Sequence, residues 1–213
     1  ADDKGVDKAV INGTAESDTF LLRRRVWPYV TPEPNTLPAF VALITNQGTT
    51  VERINYDQKV NGRLRVNGFD GDDGFYVDDN ASITTLDGGD GNDYFQIGQL
   101  FKSARVAFDD SDNPPGFTTG IAREDVFATI ETTRGFLSNG VSRPLTAMGG
   151  AGDDVFQVYH NLAVLRLEGN DDDDTFMVRA FVVLDELAKQ AMTYINSGQG
   201  YDKINYVVNA PVS

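Results

Sequence analysis

One short pattern returns along this chain at a fixed spacing. Gly88-Gly89-Asp90-Gly91-Asn92-Asp93-Tyr94-Phe95 recurs as Gly149-Gly150-Ala151-Gly152-Asp153-Asp154-Val155-Phe156, and again as Gly68-Phe69-Asp70-Gly71-Asp72-Asp73-Gly74-Phe75. With the first glycine as position one, position six is Asp73, Asp93, Asp154 and Asp174, and position eight is Phe75, Phe95, Phe156 and Phe176. Gly68 to Gly88 and Gly149 to Gly169 are each a step of 20 residues. Position ten is Val77, Ile97, Val158 and Val178. The same frame fits Gly13, Asp18, Phe20 and Leu22, and, with Ser197 in the first slot, Asp202, Ile204 and Tyr206. A degenerate copy is expected from Gly120, with Asp125 and Phe127 in register. Repetition at a fixed period restricts the architecture before any propensity is considered.

Within each copy, positions eight and ten are apolar and position nine is usually polar (Gln96, Gln157), the period of a strand. Leu64 and Val66, or Leu165 and Leu167, mark a second strand before the turn. It ends on an apolar residue two places ahead of position one: Ile11, Val66, Leu86, Ala147, Leu167 and Ile195. Asn80, Asn161 and Asn209 share a slot five residues past position eight and are expected to turn a corner through a left-handed backbone. Two short strands cannot bury their own apolar face. Stacked as coils of a parallel β-solenoid they can, with the phenylalanines in one internal column. The expected fold is therefore all-β, a single elongated parallel β-roll over residues 1–213 with coils of about 20 residues.

Charge supports an acidic turn with a purpose. Lys and Arg number 18 against 32 Asp and Glu, a formal net charge of -14. Nucleic acid is not an expected partner, since it selects a basic surface. No apolar stretch is long enough to cross a membrane, so membrane insertion is not expected either. There is no cysteine, so disulfides do not brace the fold. The acids concentrate in the turns. Neighbouring coils lie about 4.8 Å apart, which places Asp73 over Asp93 and Asp154 over Asp174. Like unit charges at that distance repel by roughly 1 kcal/mol in water and by several at an effective dielectric of about 20. A cation is the economical remedy. Carboxylate and carbonyl oxygens without histidine or cysteine suit calcium, and magnesium less well.

These residues resemble the RTX (repeats-in-toxin, hemolysin-type) family of calcium-binding nonapeptides, Gly-Gly-x-Gly-x-Asp-x-apolar-x. Gly88–Gln96 and Gly149–Gln157 match at every defined position. Gly68–Tyr76 departs at Phe69, and the copy from Gly169 has Asn170 and Asp172 where the second and third glycines belong. The resemblance covers about half of the chain. It implies that Asp73, Asp93, Asp154 and Asp174 give side-chain oxygens to several Ca2+ ions. It also implies that backbone carbonyls of the turn, at Gly68, Asp70, Gly88, Asp90, Gly149, Ala151, Gly169 and Asp171, complete the shells. Acids and amides at positions three and five (Asp70, Asp72, Asp90, Asn92, Asp153, Asp171) are secondary candidates, expected to face solvent. The family repeats its nonapeptide in direct tandem. Here it alternates with about 11 unrelated residues, so calcium loops are expected along one edge and asparagine corners along the other.

Three segments interrupt the period. Residues 23–46 contain Arg23-Arg24-Arg25, Trp27, Tyr29 and four prolines, and are expected to form a loop insertion on the flank, packed there or offering Trp27 and Tyr29 to a sugar. Residues 102–119 read as an acidic, proline-containing loop. Over 184–195, Leu184, Leu187, Ala188, Ala191 and Ile195 share a helical face, predicting one short helix. Catalytic motifs are missing and the lone His160 is expected on the surface at a corner, so the chain is not expected to be an enzyme. The copy at Ser197 stops half written, which suggests a segment of a longer repetitive protein or a subunit stacking end to end on copies of itself. The expected function is a calcium-folded structural module of a large secreted or cell-surface bacterial protein: an adhesin, matrix fibre or surface-layer component. The alternative is a carbohydrate-active β-helix, lyase or epimerase in type, or its accessory glycan-binding module, for which surface glycans are the partners.

Overall fold

Alternating apolar residues and glycine turns produce strands and little else. The computed structural model describes residues 5–25, 39–45, 50–105, 126–132, 134–181 and 191–209, and these hold 17 strands and no helix. β1 (Lys8–Asn12) and β2 (Thr19–Arg24) form the first repeat, followed by β3 (Ala39–Thr45) and β4 (Thr50–Tyr56). β5 (Arg63–Asp70) and β6 (Gly74–Val77) form the second, β7 (Thr84–Asp90) and β8 (Tyr94–Ile97) the third. β9 (Leu100–Phe101), β10 (Thr129–Thr132) and β11 (Gly135–Ser138) make a separate antiparallel sheet. β12 (Leu145–Ala151) with β13 (Val155–Val158), β14 (Leu165–Asn170) with β15 (Thr175–Phe181), and β16 (Thr193–Asn196) with β17 (Lys203–Asn209) are the last three repeats.

The first strands pair in parallel in the order β1-β5-β7-β12-β14-β16. The second strands pair in parallel in the same order of repeats, β2-β6-β8-β13-β15-β17. Register follows the repeat. Phe20, Phe75, Phe95, Phe156 and Phe176 stand opposite one another in turn, and Phe176 faces Ile204. On the other sheet the row is Ile11, Val66, Leu86, Ala147, Leu167 and Ile195. Both rows meet in one buried cluster. The five phenylalanine rings stack at 4.7 to 5.1 Å between centroids and within 17° of parallel. The spacing is that of adjacent strands, so ring stacking and backbone pairing reinforce one another.

Several expectations are corrected. Among the described residues no repeat stands between the third and the fourth, where the copy from Gly120 is expected: β8 pairs directly with β13, Tyr94 opposite Val155. Phe127 is buried, but its ring meets Phe101 at 5.3 Å outside the phenylalanine column, while Gly120 and Asp125 lie outside the described residues. Of the predicted helix at 184–195, residues 184–190 lie outside the described residues, and Thr193–Asn196 is strand. There Thr193 and Ile195 turn inward while Tyr194 and Asn196 are exposed, a two-residue period that pairing with β14 selects over the helical one. Residues 23–46 are not all loop. Arg23 and Arg24 finish β2, and once past Pro38 the chain returns as β3, antiparallel to β2, with Phe40 and Val41 buried. Trp27, Tyr29 and residues 106–119 lie outside the described residues.

The asparagine corners work through side chains rather than left-handed backbone. Among described non-glycine residues only Phe69, Asn170 and Asp172 have positive φ. Asn80 instead donates from Nδ2 to the Ser82 carbonyl, Thr84 Oγ1 and the Arg143 carbonyl, each at 3.0 Å. Its Oδ1 accepts the N–H groups of Ser142 and Arg143. Asn161 Nδ2 donates to the Ala163 carbonyl at 2.9 Å. His160 is buried rather than on the surface; its Nδ1 lies 3.1 Å from the Ser138 carbonyl, and burial lowers its pKa.

Candidate metal centre

The turn between the two strands of each repeat brings the position-six aspartates together. Asp73, Asp93, Asp154 and Asp174 are each no more than 2% exposed. They stand in a row, one per repeat, and each Oδ1 accepts a backbone N–H from the repeat before it. Asp18 donates to Asp73 at 2.6 Å, Asp73 to Asp93 and Asp93 to Asp154 at 2.8 Å, and Asp154 to Asp174 at 2.9 Å. Asp174 donates in turn to Asp202 at 3.0 Å. The stacking of Asp73 on Asp93 and of Asp154 on Asp174 is thus as expected. Besides the repulsion expected between them, half of each carboxylate is bonded to its neighbour's backbone.

The other half is not. Oδ2 of Asp73, Asp93, Asp154 and Asp174 is buried without a hydrogen-bond partner. A buried acceptor left unpaired is costly, more so when charged. Burial pushes the four carboxyls up, to about 6 for Asp73 and Asp174, about 7 for Asp93 and about 8 for Asp154; the donated N–H opposes this and neighbouring acids add to it.

Glycine at position one makes room for that oxygen. A Cβ on Gly68, Gly88 or Gly149 would stand 1.8 Å from Oδ2 of the aspartate in the same repeat, and one on Gly169 would stand 2.0 Å away. The same Cβ would lie 2.5 Å from the Gly88 carbonyl at Gly68, 2.6 Å from the Gly149 carbonyl at Gly88, 2.8 Å from the Gly169 carbonyl at Gly149 and 2.2 Å from the Ser197 carbonyl at Gly169. A carboxylate oxygen and a carbonyl oxygen therefore share the space a side chain would fill. Positions two and four need positive φ: Gly89 and Gly91 have it at 110° and 135°, and Phe69, Asn170 and Asp172 adopt it without being glycine.

Position five forms a second row, of opposite polarity. Asp72 Oδ1 accepts the Asn92 N–H at 2.8 Å, Asn92 Oδ1 the Asp153 N–H at 2.8 Å, Asp153 Oδ1 the Asp173 N–H at 3.1 Å, and Asp173 Oδ1 the Tyr201 N–H at 2.8 Å. Here the later repeat donates to the earlier one; at position six the earlier donates to the later. Asp72, Asn92 and Asp153 are exposed, as expected, but their side chains bind backbone rather than solvent alone. Asp70, Asp90 and Asp171, at position three, are exposed, and Ala151 stands in the same slot.

Chemically, each turn offers a hard oxygen pair in a buried space, with no nitrogen or sulfur donor. Among the described residues no three acidic, histidine or cysteine side chains converge on a point that could hold a metal ion. Any ion here would be held by one carboxylate per turn together with backbone carbonyls. The chain shows no match to protein-family models, to curated proteins or to solved structures.

Proposed function

We propose that this chain is a calcium-stabilised β-roll module of a large secreted or cell-surface bacterial protein, such as an adhesin, a matrix fibre or a surface-layer component. The observation that carries the reading is the row of four buried Oδ2 atoms with no partner, each beside a carbonyl oxygen of the next repeat. Calcium accepts six to eight oxygen ligands in adaptable geometry, and carbonyls serve as well as carboxylates. Asp73, Asp93, Asp154 and Asp174 would hold the ions, with the carbonyls of Gly88, Gly149, Gly169 and Ser197 beside them. The bound ion supplies the positive charge that the row lacks. The parallel sheets with matched repeat order, and one core between them, support the winding of a roll.

Placement outside the cell belongs to the same reading. Extracellular modules bind calcium at about 10⁻⁴ to 10⁻³ M. Such an affinity leaves the turns empty in the cytosol, where the chain would stay loosely folded and ready for export, and fills them outside. β16 and β17 are sheet edges among the described residues, and Tyr194, Ile204 and Tyr206 on them are exposed. A further repeat, from neighbouring sequence or from another copy of the chain, would pair there.

Calorimetric titration with calcium tests the reading. Wild-type protein is expected to bind several ions, and Asp93→Asn to bind fewer. Equal binding by both proteins, or none by the wild type, would contradict it.

A further inference from the structure

The first repeat differs from the next four of the five that follow. Its aspartate, Asp18, is buried and its N–H joins the row by donating to Asp73. Its Oδ2, however, is not an orphan. It accepts the Thr14 N–H at 2.6 Å and the Thr14 hydroxyl at 3.0 Å, while that hydroxyl accepts the Glu16 N–H at 3.1 Å. The carboxylate is drawn toward Thr14: a Cβ on Gly13 would stand 2.6 Å from Asp18 Oδ2 and 3.0 Å from the Gly68 carbonyl, so the pair of oxygens is looser than in the repeats with orphans. The backbone differs too. Thr14 and Glu16 occupy positions two and four, and neither has the positive φ found at Phe69 and Gly71, Gly89 and Gly91, Gly150 and Gly152, or Asn170 and Asp172.

We infer that Thr14 is a built-in plug that ends the ion row: its amide and hydroxyl do for Asp18 what a divalent cation does for Asp73, Asp93, Asp154 and Asp174. The inference rests on the calcium reading above and adds to it which repeats take the ion and which residue decides. Two donors aimed at one carboxylate oxygen satisfy it without a counter-ion. A cation placed there would have to displace both and would meet their positive ends. The turn of the first repeat is then satisfied at any calcium concentration.

The sequence shows how to remove the plug. Thr14→Gly with Glu16→Gly restores the full Gly-Gly-x-Gly-x-Asp pattern over residues 13–18, permits positive φ at both positions and deletes the hydroxyl. Ions bound per chain are counted by equilibrium dialysis with calcium, at saturation, for wild type, the double variant and Asp18→Asn. The expected result is one more ion in the double variant and an unchanged count in Asp18→Asn. Loss of one ion in Asp18→Asn overturns the inference, as does an unchanged count in a double variant whose far-UV circular dichroism in calcium matches wild type. If the double variant fails to fold, the Asp18→Asn count decides. A wild type that binds no calcium overturns the parent reading and this inference with it, and differs from the other outcomes in that every protein then binds none.

Discussion

The carboxylate of Asp154 accepts the backbone N–H of Asp93 at 2.8 Å, across 61 residues of chain. Those residues include the whole excursion through β9, β10 and β11, yet the two turns meet in the same register as turns 20 residues apart. The bond uses only Oδ1, so the two oxygens of Asp154 have separable roles. Asp154→Ala removes the acceptor, strands the Asp93 N–H and is expected to cost about 1–3 kcal/mol. Asp154→Asn keeps an acceptor and replaces the charged orphan with a neutral amide. In chelator at about pH 9, above the value of about 8 to which burial pushes Asp154, so that the wild-type carboxylate is charged, it is expected to be more stable than wild type in urea, and to have lost part of its response to calcium. A less stable Asp154→Asn in chelator would show that the charge is not the burden described.

Gly149 has no positive φ, so its need for glycine is purely steric. A methyl group there would stand 1.8 Å from Asp154 Oδ2. Gly149→Ala is expected to lose about 3 kcal/mol, at the upper end for overpacking. A chemical melt close to that of wild type would contradict the packing described.

Phe95 lies between Phe75 and Phe156, 4.8 Å from each ring centroid, and is fully buried. Phe95→Ala leaves a gap in the middle of the column and is expected to cost about 3–5 kcal/mol. Unfolding in urea checks it.

Phe69 is the opposite case. Its φ is 84° and its side chain is 47% exposed. Phe69→Gly relieves the left-handed backbone and is expected to gain about 1 kcal/mol. A loss of stability would mean that the exposed ring packs more than it strains.

Stability of the calcium-free protein should fall as pH rises. The folded-state values of Asp73, Asp93, Asp154 and Asp174 lie at about 6, 7, 8 and 6, above the usual carboxylate value of 3.8. The folded chain therefore binds more protons than the unfolded one between these limits, and the associated stability is full below about pH 4 and lost as pH rises through about 6 to 8. Melting temperature in chelator is expected to drop from about pH 5 to about pH 8, and calcium to flatten the profile while releasing protons on binding. A chelated protein that melts higher at the alkaline end would contradict the assignment.

Much of this was legible from the repeat. Phe75, Phe95, Phe156 and Phe176 at one position announced a column, and Leu64 with Val66 announced the second sheet, because parallel pairing of equal units puts equal residues opposite each other. Segments without the repeat were harder. β3 follows a run of prolines and pairs antiparallel, and nothing in Ala39–Thr45 says which strand it will join. Ile195 fitted a helical face and a strand equally well until its neighbour across the sheet, Leu167, decided. Within the site, the residue types were readable and the division of labour was not. That Asp93 gives one oxygen to a backbone donor and keeps the other bare depends on the direction of a particular N–H. Thr14 carries no motif, and its distances to Asp18 and its backbone without positive φ mark it as different.

The most direct test is thermal unfolding, followed by circular dichroism at about pH 7.5, in chelator and in millimolar calcium. Each ion present at about ten times its Kd adds about 1.4 kcal/mol, so several sites should together raise the melting temperature and steepen the transition. Magnesium should do so less. If the β-signal and the melting temperature are the same in chelator and in calcium, the orphaned oxygens are met by something other than a metal and the account fails.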